Sequence, residues 1–179
     1  VNDEKSNVRL SSAIYGNVLN STGSIIPLIW DSINKEYPLT LYSDKMTRFM
    51  IDVEDAMDLI EKGLQVSGYN VVPNLKSFLV KDLFEIFSED YGLKYHIGEP
   101  RISEKLHEIM IAKEEVSRTF YDKIEDIYYM HYKNMAESHV KVLHNEAQIL
   151  NDKFGSDDVV MTKNQLRQML KHYNYFRWI

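Results

Sequence analysis

Two hydrophobic periods alternate along the chain. Short apolar runs bounded by turn residues predict strands at 8–14, 39–42, 49–51, 69–73 and 93–97. Between them, apolar residues recur three or four positions apart, as on one face of a helix. Ile25, Ile26, Ile29, Trp30 and Ile33 form one set, with Ser24 as its cap and Pro27 in its first turn. Val53, Ala56, Met57, Ile60 and Leu64 form a second, entered through Asp52 and closed by Gly68. Val80, Leu83, Phe84 and Phe87 form a third. Thr162 with Gln165 is a capping-box pattern, and Leu166, Met169, Leu170 and Tyr173 follow on one face. Residues 15–17 read as a turn. The stretch 114–156 is charged and aromatic, and 128–132 is its best strand candidate. Strands alternating with helices predict an α/β fold.

The chain has 179 residues, 44% apolar and 27% charged, enough for one ordinary core. Its 21 basic and 27 acidic side chains leave a net charge of −6, which argues against nucleic acid as a partner. No apolar run approaches the roughly 20 residues of a membrane span, and the first five residues are too polar for a signal peptide. A cytoplasmic setting is the expectation. Without cysteine there is no disulfide, thiolate nucleophile or cysteine metal site. Four prolines and seven glycines, with no repeat and no linker, predict one region over 1–179.

Candidate chemistry is sparse. The six histidines form no metal pattern: His107-Glu108 lacks a second histidine, and His139 and His144 share no helical face. No metal site is expected. The turn 20–24 precedes a helix, where free N–H groups suit a phosphate and routine capping suits the same residues equally well. Arg48 and Arg101 would fit a diphosphate if they converged, since the guanidinium fork matches phosphate oxygens; periodicity alone favours surface ion pairs for both. The aromatic tail 173–179 fits core packing better than base stacking, given the acidic charge.

Several stretches occur in a telling order: Tyr15-Gly16-Asn17-Val18, Gly23-Ser24-Ile25-Ile26-Pro27-Leu28, Asp44-Lys45-Met46-Thr47-Arg48-Phe49, Val72-Pro73-Asn74-Leu75-Lys76-Ser77 and Arg101 through Glu108. Glu114 to Thr119 and Thr162 to Leu166 continue the series. The sequence resembles the inverting UDP-N-acetylglucosamine 4,6-dehydratases, extended short-chain dehydrogenase/reductases of capsule and flagellin-sugar synthesis. The likeness covers most of the chain except the region around 138–154.

The resemblance implies the C-terminal portion of that α/β fold, a substrate-binding region whose N-terminal Rossmann half is missing. Members carry a glycine-rich NADP loop and a tyrosine and lysine four residues apart; this chain is expected to start after both. Tyr129 and Lys133 have that spacing far from the family's place for it, which chance explains better. No catalytic residue and no cofactor are therefore expected within the chain, and NADP is expected on the missing half. By resemblance the substrate-binding residues are Asn17 on the UDP moiety, Ser24 on the loop before the covering helix and Thr40 in the segment at the uracil edge. Arg48 and Arg101 match the family's diphosphate arginines, and Glu104 matches an acidic residue beside the ribose. The chain departs from the family at Ile14, Thr22 and Ser103, where arginine, arginine and glycine are usual. The first two departures remove positive charge beside the cleft. The implied partners are a UDP-sugar, a separately encoded N-terminal half and a second copy of the chain. The alternatives are a non-catalytic UDP-sugar-binding or interaction module, or a decayed fragment.

Overall fold

A computed structural model of the chain describes residues 10–99, 102, 104–132 and 147–176. In chain order it contains β1 (Ser12–Ala13), β2 (Asn17–Val18), α1 (Ile25–Lys35), β3 (Leu39–Leu41), β4 (Thr47–Ile51), α2 (Val53–Gln65), β5 (Tyr69–Pro73), β6 (Ser77–Leu79), α3 (Val80–Tyr91) and β7 (Tyr95–Ile97). There follow β8 (Ile109–Ile111), a 3-10 turn (Lys113–Arg118), β9 (Thr119–Asp122), β10 (Ile127–His131), β11 (Ala147–Ile149), β12 (Phe154–Gly155) and α4 (Lys163–His172). The described residues gather into two compact units, one within Val1–Tyr15, Glu54–Asn74 and Ile109–Phe154, the other within Gly16–Val53, Leu75–Glu108 and Gly155–Ile179.

The first unit is built on a five-stranded sheet in the order β1-β5-β10-β9-β11. β1 runs parallel to β5, with Ser12 opposite Asn70, and the other neighbours are antiparallel. Of the strand expected at 8–14, residues 10–14 are described and only Ser12–Ala13 form β1; residues 8 and 9 lie outside the described ones. The β10 strand falls where the aromatic run predicts it. Leu59, Val71, Phe120 and Tyr129 form the core, and the last two rings stack at 5.5 Å. Burial, and then the bond its hydroxyl donates to Glu125, push the Tyr129 phenol well above its ordinary pKa.

Helix α2 corrects one expectation. Of its predicted apolar stripe only Ala56 is buried; Leu64 is 74% exposed, Met57 60%, Val53 54% and Ile60 38%. The buried positions are Ala56, Leu59 and Gly63. Small residues bring this face of the helix close enough for Ser11 Oγ to donate to the Gly63 carbonyl at 2.5 Å, and one large residue, Leu59, fills the core. The bulkier stripe faces away.

In the second unit β4 is central to a three-stranded sheet, parallel to β2 and antiparallel to β6. β3 and β7 pair in parallel, Leu39 opposite Tyr95. Residues 15–17 predict a turn, yet Asn17–Val18 is a strand. Gly16 permits this: a Cβ there would lie 2.5 Å from Phe49 Cβ and 2.9 Å from the Phe49 carbonyl carbon. Only glycine lets the two backbones meet so closely.

The core of this unit joins Ile26, Ile29 and Trp30 of α1, Leu83, Phe84, Ile86 and Phe87 of α3, and Leu166 and Leu170 of α4. Burying each such side chain contributes roughly 1.5–3 kcal/mol. The capping box at α4 forms as expected: Thr162 Oγ1 accepts from Gln165 N, and Gln165 Oε1 accepts from Thr162 N at 2.9 Å. The described part of the tail packs into the core. Trp30 Nε1 donates to the Tyr175 carbonyl at 3.2 Å, and Phe176 lies 5.5 Å from both the Phe87 and Tyr91 rings.

Candidate functional site

The second unit contains a cleft of about 700 Å³. Its polar lining includes Asn17 on β2, Ser24 ahead of α1, Thr40 on β3, Arg48 on β4 and Glu104. Met46, Met50, Phe78 and Phe84 supply apolar surface. Five of the six residues singled out by sequence thus surround one cavity, drawn from four elements and a loop. The sixth, Arg101, lies outside the described residues, as do His139 and His144.

Arg48 sits on a strand whose Phe49, Met50 and Ile51 are buried, so its backbone is held by the core. Its side chain is 15% exposed. Nη1 donates to the carbonyls of Thr47 (2.8 Å) and Leu106 (3.3 Å), and Nη2 donates to Glu104 Oε1 (2.6 Å). Nε lies 3.7 Å from Glu108 Oε1. The ion pair expected on periodicity and the cleft position expected from resemblance therefore coexist.

Asn17 Nδ2 donates to the Phe49 carbonyl at 3.3 Å and to Glu108 Oε1 at 3.4 Å. Thr40 Oγ1 lies 3.1 Å from His96 Nε2, a link made by the parallel register of β3 and β7. Ser24 occupies the N-cap position of α1 without capping through its side chain, which corrects the sequence expectation. An N-cap oxygen bonds the N–H of the second or third helical residue, and the third here is Pro27, which has none. Ser24 Oγ is left buried with no hydrogen-bond partner among the described residues.

Sequence reasoning missed Glu108 and His96 as supports of the lining. Nothing in their local pattern marks them, because their partners lie 59 and 56 positions away, on Phe49 and Thr40. It also missed a buried relay behind β4, in which Thr47 Oγ1 lies 2.6 Å from Ser156 Oγ and 2.8 Å from His107 Nδ1. Among the described residues no three His, Asp or Glu side chains cluster as metal ligands. The cleft offers a cation with carboxylate partners, side-chain hydroxyls and an amide beside an apolar wall. Such a lining suits a polar ligand with one apolar face.

Residues 1–131 match the family described as polysaccharide biosynthesis protein. The chain belongs to this family, and its α/β fold is part of an extended short-chain dehydrogenase/reductase. An uncharacterized membrane protein of Methanocaldococcus jannaschii is 30% identical over 90% of this chain and 49% of its own length. An inverting UDP-N-acetylglucosamine 4,6-dehydratase of Campylobacter jejuni is 33% identical over 59% of this chain and 32% of its own. A UDP-glucose 4-epimerase of Rickettsia felis is 34% identical over 58% and 32%. The solved structure of Pen from Bacillus thuringiensis superposes with a TM-score of 0.80 over 96% of this chain and 52% of that one, at 21% identity. The chain thus spans about half or less of the length of these relatives. Among the described residues no helix is long and apolar enough to cross a membrane.

Proposed function

We propose that this chain is the nucleotide-sugar-binding portion of a UDP-N-acetylglucosamine 4,6-dehydratase-like protein of polysaccharide synthesis. The observation that carries the reading is the gathering of Asn17, Ser24, Thr40, Arg48 and Glu104 around one cleft. The similarity to the Campylobacter dehydratase supports the substrate class. In this reading Arg48 and Arg101 hold the diphosphate, Glu104 meets the ribose, Asn17 contacts the UDP moiety, and the strand bearing Thr40 meets the uracil edge. The apolar wall takes the flat side of the base or sugar. The chain's task is to hold UDP so that the hexose reaches a nicotinamide; this is positioning, not proton transfer. NADP and the acid–base groups belong to a Rossmann half outside this chain, which is inactive without it. A cytoplasmic setting and a homo-oligomer complete the proposal. The equal similarity to the Rickettsia epimerase supports UDP-glucose as the second candidate ligand.

Calorimetric titration with UDP, UDP-N-acetylglucosamine, UDP-glucose and GDP tests this. Saturable binding of the uridine ligands, with GDP weaker, is expected. Absence of binding by every uridine ligand overturns the reading. Incubation with NADP and UDP-N-acetylglucosamine is expected to give no 4-keto product, and turnover by this chain alone would contradict its assignment as a binding portion.

A further inference from the structure

Glu108 is not among the cleft-lining residues, yet its carboxylate grips two that are. Oε2 accepts the Phe49 N–H at 3.1 Å, Oε1 accepts from Asn17 Nδ2 at 3.4 Å, and Arg48 Nε lies 3.7 Å from Oε1. Glu108 is itself anchored: its N–H donates to Ser156 Oγ at 2.8 Å, and Ser156 is fully buried. A carboxylate at neutral pH only accepts hydrogen bonds. Together with the Phe49 carbonyl it fixes which way the Asn17 amide faces. Turned over, Asn17 Oδ1 would meet the Phe49 carbonyl and the Glu108 carboxylate, three acceptors together with no proton between them.

We infer that Glu108 is a positioning residue that fixes the Asn17 amide, committing both Nδ2 hydrogens and leaving Oδ1 as the atom offered to a ligand. Asn17 Oδ1 has no partner among the described residues. The group it takes is a donor on the UDP moiety, a ribose hydroxyl, whereas the phosphate oxygens go to Arg48. This rests on the nucleotide-sugar reading and narrows it: the amide reads the ribose side of UDP and the guanidinium the anionic side.

The test uses the full chain and the variants Glu108→Gln, Asn17→Asp and the double variant, with UDP-N-acetylglucosamine as probe. Glu108→Gln is expected to weaken binding about twofold or more, since a glutamine tolerates either orientation of Asn17 and only the Phe49 carbonyl still favours the original one. Asn17→Asp sets two carboxylates side by side and weakens binding at least as much. Adding Glu108→Gln to Asn17→Asp then restores affinity about threefold or more, because the glutamine N–H can donate to the new carboxylate. A merely structural role predicts further loss in the double variant, not rescue. In ligand-free protein, the Asn17 side-chain amide resonances, identified by their loss in Asn17→Asp, are expected to shift in Glu108→Gln. Wild-type affinity in Glu108→Gln, an unmoved Asn17 signal, or no rescue in the double variant overturns the inference. If wild type binds no uridine ligand, the functional reading fails while the resonance shift still tests the Glu108–Asn17 link. Cooperative melting of each variant identifies any that do not fold, and the resonance shift decides for those that do.

Discussion

Arg48 and Glu104 close to 2.6 Å on the cleft wall, so the cation is answered by a carboxylate before any ligand arrives. With Nη1 spent on two carbonyls and one Nη2 hydrogen on Glu104, the guanidinium keeps one Nη2 hydrogen, and the hydrogen on Nε, which lies 3.7 Å from Glu108, for a new partner. An incoming diphosphate must compete with Glu104. If the carboxylate also holds the ribose, its removal has opposite effects on two ligands. Glu104→Gln is expected to bind inorganic pyrophosphate about three- to tenfold more tightly and UDP more weakly. Calorimetry with both ligands checks this. A change of the same sign for both would remove the ribose role and leave Glu104 as a counter-ion.

Replacing Arg48 itself separates a ligand contact from a structural brace. Charge-assisted hydrogen bonds contribute roughly 1.5–3 kcal/mol. Arg48→Ala is therefore expected to weaken UDP binding about ten- to a hundredfold, and Arg48→Lys to recover part of it by keeping charge without the fork. Arg101→Ala is expected to act similarly. Unchanged UDP affinity in Arg48→Ala would leave the cleft without its phosphate anchor.

How much of this was readable beforehand differs by element. The apolar faces of α1, α3 and α4 were legible because each is deeply packed, so periodicity and burial coincide. The face of α2 was not. A helix that approaches a sheet through Ala56 and Gly63 hides its closest side among small residues, and the larger Met57 and Leu64 outweigh them in any hydrophobic pattern. The cap at Ser24 was legible as a position and misleading as a bond: Pro27 removes one of its two donors, and Ser24 Oγ does not bond the other, the Ile26 N–H. The residues around the cleft came from ordered motifs, which carry more information than spacing. Glu108 was out of reach, since its role depends on Asn17 and Phe49 meeting across β2 and β4.

The orientation of α2 gives a stability prediction. Leu59 is 3% exposed and Leu64 74%. Leu59→Ala is expected to cost about 2–5 kcal/mol, while Leu64→Ala stays within about 0.5 kcal/mol. Urea unfolding of both variants measures this as shifts in midpoint. Equal losses would mean that the stripe on Leu64 is covered.

Tyr175 and Asp52 form a second buried relationship. The Tyr175 hydroxyl donates to Asp52 Oδ2, and the two residues are 7% and 8% exposed. The bond ties the chain after α4 to the residue ahead of α2. Tyr175→Phe keeps the ring and removes one donor to a carboxylate, so a loss of roughly 1.5–3 kcal/mol is expected. A midpoint unchanged in urea would show that solvent replaces the hydroxyl.

Lys163 joins the first turn of α4 to α3, with Nζ 2.9 Å from Glu85 and 2.5 Å from Glu89. The hydrogen bond from Lys163 is the chief reason that the Glu85 carboxyl is held below its ordinary pKa, against an opposing push from burial. A group with a depressed folded pKa stabilises the fold above its unfolded value, here near 4.5, and loses that contribution as the pH falls through the lower folded value. Lys163 is raised by bonds to Glu89 and then Glu85, so its share is present below 10.5 and is lost as the pH rises through the higher folded value. Asp82 acts in the opposite sense to Glu85: burial first, then the Glu85 charge, raises it, and acid relieves that cost. The side chains of Lys163 and Glu85 are each 30% exposed and Glu89 is 53% exposed, so screening keeps the pairs at about 0.5–1 kcal/mol together. Lys163→Met is expected to lower stability by that amount between about pH 5 and pH 10, with the gap to wild type closing below pH 4.5 and again above pH 10.5. Urea midpoints across the pH range test it, at low and high salt. A gap that persists at pH 3, or one insensitive to salt, would assign the effect to packing of the lysine stem against α3.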